Sequence, residues 1–319
     1  MRQPQRFVSA GAAALALILL LAASAGAADP PLVRVVQVTA PPAQVAEMVR
    51  GGLLALTGCP TVAEAWRTMV LPTDVVGLKV DCDPAGAITH KDLALAVARS
   101  LEEAGVPADH IIIWDRSAAQ MEKAGWTLAD QEGKLRVVAA ETGGYDDQSA
   151  VTLPGSGDAP VTFRFPKLLT QRLTRLVALP ALNCGAPLGL GMAVRSLTTG
   201  VVDNAAAVSA ASSLALIPAL FAQPGLQKRL TLTLADVLAP RYEDPAGQPA
   251  PWPANSLLLA RNAISADAIA LALVDEKRQA TGLCALAQTD APPTYLTELG
   301  KRRLGVNDLS QIALCKVGL

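Results

Sequence analysis

The chain has 319 residues, with 27 Lys and Arg against 28 Asp and Glu, so its net charge is close to zero. It has no positive field to attract a phosphate backbone, and aromatic residues, on which bases stack, make up only 3%. Nucleic-acid binding is therefore not expected. Apolar residues make up 51% and charged residues 17%, which is typical of a folded globular protein with a large core.

Residues 1–27 are predicted to be a secretory signal peptide. Arg2 and Arg6 give a positive start, residues 10–23 are an apolar run rich in Leu and Ala, and residues 25–27 form a small-x-small cleavage pattern. A retained membrane anchor is the alternative, but the apolar run is short for a span. We therefore expect a periplasmic or secreted protein, with no stable membrane span after signal cleavage.

Residues 28–319 are predicted to form a single α/β domain. In chain order, the patterns predict strand 32–39, helices 42–56 and 61–70, strand 75–80, helix 89–104, strand 110–115, helix 118–130, strands 135–140, 161–165 and 175–182, helix 203–223, strand or helix start 230–238, strand 256–260, helices 266–281 and 294–305, and strand 312–317. This alternation favours a layered sandwich with a largely parallel sheet.

Two long segments lack this periodicity. Residues 142–160 are rich in Gly, Asp, Ser and Pro, which predicts a long loop or a small hairpin that could serve as a mobile flap. Residues 240–253 contain many prolines and are predicted to be an ordered surface loop.

The sheet is predicted to be built around a βαβ unit at residues 74–117. Its first strand is apolar apart from Lys79, as expected of a strand covered on both faces. Thr89 is predicted to cap the helix and Gly105 to end it. A strand–helix–strand connection of this length favours a right-handed crossover.

The five cysteines are scattered along the chain, and none forms a CxxC pair; they are Cys59, Cys82, Cys184, Cys284 and Cys315. This spacing does not fit a zinc ribbon or an iron–sulfur ligand set, so no iron–sulfur cluster is expected. The identity of any other cofactor stays open. If disulfides form, the odd count leaves at least one thiol unpaired within the chain.

Ligands of open parallel sheets bind outside the carboxyl ends of the strands. That rule selects Asp81 and Asp83 after the first central strand, and Asp115, Arg116 and Ser117 after the second. The three carboxylates could hold a hard divalent cation. Alternatively, the helix N-terminus and Arg116 could receive an anionic group. A third interpretation is structural, because Asp at a strand end often caps a turn.

Other candidate side chains lie close by in the sequence. Lys79 could reach into a cleft and bind an anion, or extend to solvent. His90, at the predicted helix start, and Asp115 are the candidates for acid–base catalysis, although no GxSxG motif is present. Asn183 and Arg195, in a Gly-rich stretch, are further candidates for ligand binding.

Five segments resemble, in this order, the domain of unknown function 362 family, over roughly residues 74–305. They are GLKVDC, THKDLALAVARSLEEAGV, HIIIWDRS, RLVALPALNCGAPLGLGMAVRSLTTG and SADAIALAL. Some members of that family carry ferredoxin-like iron–sulfur modules, but the cysteine set for such a module is absent from this sequence.

The resemblance implies a divergent member of that family with an altered site. The family's lysine-x-asparagine is represented by Lys79-Val80-Asp81, and its later lysine and histidine fall on Asn183 and Gly185. Its lysine-asparagine pair falls on Arg195 and Ser196. Its late aspartate pair keeps Asp267 but has Ala272 at the second position, while the segment Asp115-Arg116-Ser117 matches well.

Three functions follow as alternatives. The first is binding of a small anionic molecule at the loop edge of the sheet. The predicted binding residues all have polar or charged side chains; they are Lys79, Asp81, Arg116, Ser117, Asn183 and Arg195. The second is an enzyme, metal-assisted or acid–base, that uses a cluster of Asp81, Asp115 and His90. The third is a structural or accessory protein without catalysis.

Overall fold

The centre of the molecule is a sheet that has 11 strands in the part of the chain that the structure describes. The structure is a computed structural model, and it describes residues 32–83, 86–154, 160–185, 189–207, 210–243, 245–290 and 292–319. Residues Leu32–Leu319 form one compact unit. The predicted signal peptide lies outside the described residues.

The strands include a separate two-stranded hairpin, β5–β6, beside the main sheet. They are β1 (Val33–Thr39), β2 (Val76–Val80), β3 (Ile111–Asp115), β4 (Arg136–Ala139), β5 (Val151–Pro154), β6 (Pro160–Phe163), β7 (Arg175–Leu179), β8 (Ala181–Gly185), β9 (Gly189–Gly191), β10 (Leu230–Glu243), β11 (Pro249–Pro251), β12 (Ser256–Ala260) and β13 (Ile312–Gly318).

The strand order of the main sheet is β13-β1-β12-β10-β7-β2-β3-β4. Within this row β12 is antiparallel to both neighbours, and the other pairs are parallel. The strand β8 runs parallel to the second half of β10, and it is paired in turn with β9. The predicted α/β fold with a largely parallel sheet is therefore confirmed.

Helices cover both faces of the sheet. They are α1 (Val45–Thr57), α2 (Val62–Arg67), α3 (Lys91–Glu103), α4 (Ala118–Lys123), α5 (Ala193–Leu197), α6 (Ala210–Phe221), α7 (Pro224–Gln227), α8 (Ala263–Ala280) and α9 (Tyr295–Lys301). One hydrophobic core lies between the sheet and α1–α4, and a second lies on the side of α5–α9. In the described residues no helix is both long and apolar enough to cross a membrane.

The alternation along β2 shows how one strand supplies both cores. Val76, Leu78 and Val80 pack in the core under α1–α4. Because successive side chains of a strand point to opposite faces, Gly77 and Lys79 point to the α5–α9 side. This places a lysine inside the second apolar layer.

Several predicted boundaries are corrected by hydrogen bonds. The helix α3 begins at Lys91 with His90 at its N-cap, since the hydroxyl of Thr89 donates to Leu179 O and accepts from Asp81 N. The helix α8 begins at Ala263 rather than 266, because the side chain of Asn262 caps it.

The two long aperiodic segments differ in outcome: the small hairpin predicted as one alternative for 142–160 is present in the described part, whereas the loop predicted for 240–253 is not. Of the predicted flap at 142–160, the described part contains a 3-10 turn, Asp147–Ser149, and β5, which pairs with β6 as a hairpin. The prediction of a surface loop at 240–253 is wrong for the described residues, because β10 extends to Glu243 and pairs with β11. The uncertain segment 230–238 is the first part of that long strand.

The close contact of β2 with the second core leads to a first prediction. A Cβ at Gly77 would overlap the side chain of Leu173 and approach Trp114 Nε1 to 2.8 Å. Gly77→Ala should therefore lower the free energy of unfolding by about 1–3 kcal/mol, measured by urea denaturation.

Gly51→Ala is the matched control. In α1 the added Cβ meets Leu319 at an ordinary 3.6 Å, so this variant should gain up to about 1 kcal/mol from helix propensity. Equal unfolding midpoints for the two variants would contradict the packing of β2.

Candidate functional site

Lys79 is the centre of a buried polar network at the carboxyl end of β2. Its side chain is 1% exposed. Its Nζ lies 2.8 Å from Asp115 Oδ1 and 3.1 Å from Asp81 Oδ1, and it also donates to Val80 O at 2.7 Å. A longer contact of 3.4 Å reaches the hydroxyl of Ser196. The three donors of the ammonium are therefore all engaged by groups of the protein itself.

The two carboxylates are held from several directions. Asp115 Oδ2 accepts from Cys82 N at 2.8 Å, and its Oδ1 accepts from Arg116 N at 2.7 Å. Asp81 Oδ1 accepts from the Ser196 hydroxyl at 2.5 Å, and its Oδ2 accepts from Ala181 N at 3.0 Å. These bonds join the ends of β2 and β3 to β8 and to helix α5.

Electrostatic interactions in the network keep the Lys79 ammonium charged and the Cys82 thiol neutral. Burial by itself lowers the pKa of Lys79, but the charges of Asp115 and Asp81 outweigh burial and raise that pKa above its usual value. Burial, followed by the charge of Asp115, raises the pKa of the Cys82 thiol. Lys79 is therefore a permanent cation, and Cys82 is a thiol without nucleophilic character at neutral pH.

This geometry contradicts part of the predicted site. Lys79 is occupied by carboxylates and is not available to a ligand, and Asp115 is held in an ion pair rather than exposed as an acid or base. In the described ranges no three His, Cys, Asp or Glu side chains are grouped so that they could hold a metal ion. The predicted metal site of Asp81, Asp83 and Asp115 is therefore not supported, because an ammonium group lies between two of its three carboxylates.

His90 follows Thr89, which hydrogen-bonds the Asp81 backbone, but its own side chain pairs with Asp236. Asp236 Oδ2 accepts from both the backbone N and the Nδ1 of His90, each at 2.8 Å, while its Oδ1 accepts from Leu238 N. The hydrogen bond that His90 donates to Asp236 raises the pKa of His90, against the opposing effect of burial. The imidazole is 45% exposed, whereas the Asp236 side chain is 2% exposed. A buried carboxylate thus orients a partly exposed imidazole.

Asn183, a predicted ligand-binding residue, instead supports the loop between β2 and α3. Its Oδ1 accepts from Ala87 N at 2.5 Å, and its Nδ2 donates to Ala87 O at 3.2 Å. The side chain amide therefore fixes this loop against β8.

Arg195, on α5, lies next to this network and is the least satisfied cation in it. Its Nη1 is 3.4 Å from Leu190 O, and its Nε is buried with no hydrogen-bond partner. It takes part in none of the ion pairs formed within the described ranges. Burial lowers the pKa of Arg195, opposed by electrostatic interaction with Tyr295, Asp81, Asp267 and Asp83.

Asp267 and Tyr295 lie around Arg195. Asp267 is 0% exposed and accepts from the backbone N of Ala193 and Val194 at 2.9 and 3.2 Å. Burial raises the pKa of Asp267 to about 8. The hydroxyl of Tyr295 donates to Leu190 O at 3.1 Å, and burial raises its pKa well above the usual value.

Arg116 and Ser117 follow β3 but do not join the Lys79 network through their side chains. Glu141 N donates to Arg116 O, and Glu141 Oε1 accepts from Ala118 N at the start of α4. The side chain of Ser117 makes no capping hydrogen bond to that helix. Both predicted ligand-binding residues thus lie at the neighbouring loop, beside Glu141.

Asp236 and Tyr295 are site residues that the sequence did not indicate, and Ser196 and Asp267 were indicated only through the family resemblance. A general signal was present for the two acids. Asp236 lies in the apolar run LTLADVLAP and Asp267 among small apolar residues of α8. Because acids are seldom fully buried without partners, a carboxylate inside such a run points to a buried hydrogen-bonded role.

No family model matches the chain, and no curated protein matches it. Among solved structures, it is similar to the crystal structure of a Thermotoga maritima protein from the Northeast Structural Genomics Consortium, with a TM-score of 0.40 and 12% sequence identity over 67% of this chain. The chain spans 57% of the length of that protein. Membership of the domain of unknown function 362 family therefore stays a prediction.

Removing the central cation should destabilise the fold. Lys79→Met leaves Asp81 and Asp115 close together without a counter-ion and should lower the free energy of unfolding by about 3–5 kcal/mol. The double variant Lys79→Met with Asp115→Asn should recover part of that loss, because one uncompensated charge is gone. Chemical denaturation measures both.

Lys123→Met, which removes an exposed lysine of α4, is the control and should change stability by less than about 0.5 kcal/mol. If Lys79→Met were as stable as this control, the buried ion pairs would not hold the site together.

The His90–Asp236 pair should make stability depend on pH. Because the folded pKa of His90 is raised, its stabilisation is fully present below the unfolded pKa of about 6.5 and is lost as pH rises through the folded value. The loss of stability in His90→Gln should therefore be larger near pH 5.5 than near pH 9.

The pKa itself can be measured by NMR titration of the imidazole. It should lie above about 6.5 in the native protein and fall in Asp236→Asn. A His90 pKa that is unaffected by Asp236→Asn would show that the pair does not act as described.

Proposed function

We propose that the protein binds a small anionic molecule at the carboxyl edge of its central sheet, and that Arg195 is the cation that contacts it. The observation that supports this proposal best is the buried Nε of Arg195, which has no hydrogen-bond partner. Leaving a buried polar donor unpaired costs about 1–3 kcal/mol, more for a charged group. An anion that accepts from this donor would remove that penalty.

The chemistry of the guanidinium indicates the ligand class. Its planar donors match the paired oxygens of a carboxylate or phosphate group, and a ligand oxygen at Nε with a second one at an Nη would be bound in bidentate fashion. The neighbouring Gly191 has no side chain; a Cβ there would come within 3.3 Å of Arg195 Nη1. The guanidinium thus packs against the bare backbone of Gly191.

The surrounding acids do not prevent this interaction. Lys79 offsets one of the two charges of Asp81 and Asp115, and Asp81 is also hydrogen-bonded by Ser196 and Ala181 N. With its pKa raised to about 8, Asp267 is largely protonated at neutral pH. Asp83 is exposed, so solvent and salt screen its charge. These effects weaken the negative field of the acids around Arg195 without removing it.

Acid–base catalysis by His90 is a second candidate function. The support is the geometry of the pair, in which Asp236 binds Nδ1 and thereby leaves the other ring nitrogen for proton transfer. The NMR titration described above tests its premise, since a general base needs an accessible imidazole whose pKa depends on Asp236. Asp81 and Asp115 have no part in this version, because Lys79 holds both.

We also propose that the protein acts outside the cytoplasm, in the periplasm or after secretion. The positive start, apolar run and cleavage pattern of residues 1–27 support this location.

Calorimetric titration tests the binding proposal. The probes are inorganic phosphate and citrate, with glucose as a neutral control. Arg195→Ala should weaken binding of the better anion by roughly tenfold or more, because hydrogen bonds to charged groups contribute about 1.5–3 kcal/mol. Arg195→Lys keeps the charge but loses the planar donors, so it should bind with intermediate affinity.

Arg99→Gln, on the exposed face of α3, is the matched control and should bind as the native protein does. Anion binding that is unchanged in Arg195→Ala, or equally reduced in Arg99→Gln, would overturn the proposal.

A further inference from the structure

Asp267 is a fully buried acid that forms no ion pair within the described ranges. Its Oδ1 accepts from Ala193 N at 2.9 Å and its Oδ2 accepts from Val194 N at 3.2 Å, and both donors are neutral. An ionised carboxylate that is removed from water without a cation in contact is unfavourable. The geometry of this site therefore favours the protonated carboxyl.

A short chain of contacts joins Arg195 to Asp267. Arg195 follows Val194, whose backbone N donates to the Asp267 carboxyl. Arg195 Nη1 lies 3.4 Å from Leu190 O, and the hydroxyl of Tyr295 donates to the same carbonyl at 3.1 Å. The charges of Arg195 and Asp267 act on each other, as the direction of their effects on the two pKa values shows. The two groups are thus coupled without being in contact.

The ionisable groups that act on Asp267 come from three elements. They are Arg195 on α5, Tyr295 on α9 and Asp81 at the end of β2. Burial raises the pKa of Tyr295 well above its usual value, so its hydroxyl stays neutral. Asp81 is ion-paired with Lys79. Arg195 is therefore the cation through which the charge of Asp267 affects a ligand.

Other ionisable groups on the elements packed against α8 have partners away from Asp267. Asp236 of β10 binds His90, and Tyr242 of β10 contacts Lys277 near the other end of α8. On α9, Glu298 pairs with Lys301. The neighbouring strand β12 contains no ionisable residue.

We propose that the Arg195 site takes up an anion together with one proton, and that Asp267 holds this proton. The inference rests on the proposed anion site and adds its regulation by pH. When Asp267 is ionised, its charge repels an anion at Arg195 and attracts the guanidinium in its place. When Asp267 is protonated, this competition is absent, so the site binds the anion more tightly.

The coupling is reciprocal and has a defined direction. In the free protein, burial raises the pKa of Asp267 to about 8. If the protonated form binds the anion about tenfold more tightly, the bound anion makes Asp267 hold its proton about tenfold more tightly as well. The affinity is then highest at neutral pH and below, and it falls as pH rises through the pKa of Asp267.

Sulfate is the probe, because its charge stays the same across the range in which Asp267 titrates. Calorimetric titration of the protein should give a dissociation constant about tenfold lower at about pH 6.5 than at about pH 9.5. Repeating the titration in buffers of different ionisation enthalpy measures the proton taken from solvent. About half a proton should be taken up per sulfate at about pH 8.5, and almost none at about pH 6.5.

Asp267→Asn removes the titrating group. Its sulfate affinity should no longer depend on pH in this range, and proton uptake on binding should disappear. Glu276→Gln is the matched control, because it makes the same change of acid to amide at an exposed position of α8. This control should keep the pH dependence and the proton uptake of the native protein.

Carbon-13 NMR of aspartate-labelled native protein tests the inference without a substitution. A carboxyl that titrates at about pH 8 is distinct from ordinary aspartates, whose pKa is about 4. Its titration should move to higher pH when sulfate is added. A resonance that does not respond to sulfate would contradict the coupling.

The outcomes separate this inference from the anion site itself. If sulfate binds with the same affinity at both ends of the pH range, or if Asp267→Asn keeps the native pH dependence, proton-coupled binding is overturned while the anion site stands. If sulfate binds at no pH, the anion site is overturned, and the inference fails with it.

Discussion

The burial of Lys79 between Asp81 and Asp115 is the constraint on which the rest of the site depends. An ammonium in an apolar layer is tolerated only when its charge is paired and its donors are satisfied. Here two carboxylates and a carbonyl do both, and the carboxylates in turn bind backbone N–H groups at the ends of neighbouring strands. The polar residues at the sheet edge thus hold the strands and helix α5 in one arrangement.

This arrangement determines which polar groups are left for a ligand. Ser196 is bound to Asp81, and the preceding residue, Arg195, is thereby placed beside the β8–β9 hairpin with an unpaired Nε. Asp236 is two residues from both Leu234 and Leu238 on β10 and therefore lies on the same face, which packs in the α1–α4 core. There it contacts His90 at the start of α3. The anion candidate and the acid–base candidate therefore share the carboxyl edge of the sheet but lie on opposite faces.

The fold was largely predictable from the sequence, because local periodicity and the caps and stops of helices agree with it. The unit around 74–117 is the clearest case: its apolar strands and the helix stripe of Leu93, Val97 and Leu101 have the expected spacing, and the structure has β2, α3 and β3 there. The errors at Thr89 and at residue 266 have different causes. Thr89 bonds Leu179 O, 90 residues away, which no local pattern contains, whereas Asn262 is an ordinary local N-cap of α8.

The site was less predictable, since its chemistry depends on which side chains meet across the fold. From the sequence, the candidates were polar residues near strand ends: Lys79, Asp81, Asp115, Arg195 and His90. No local pattern indicates that Lys79 forms ion pairs with both Asp81 and Asp115. The partner of His90, Asp236, is 146 residues away. Pairings over such separations are set by the strand order β10-β7-β2, which is a property of the sheet and not of any segment.

The most direct test is a crystal structure of the chain without residues 1–27 soaked with selenate, whose selenium gives an anomalous signal. If Arg195 binds the anion, a selenate oxygen lies within hydrogen-bonding distance of Arg195 Nε, while Lys79 keeps its contacts to Asp81 and Asp115. A structure in which Arg195 forms an ion pair with an acid of the chain, and selenate binds elsewhere, would contradict it.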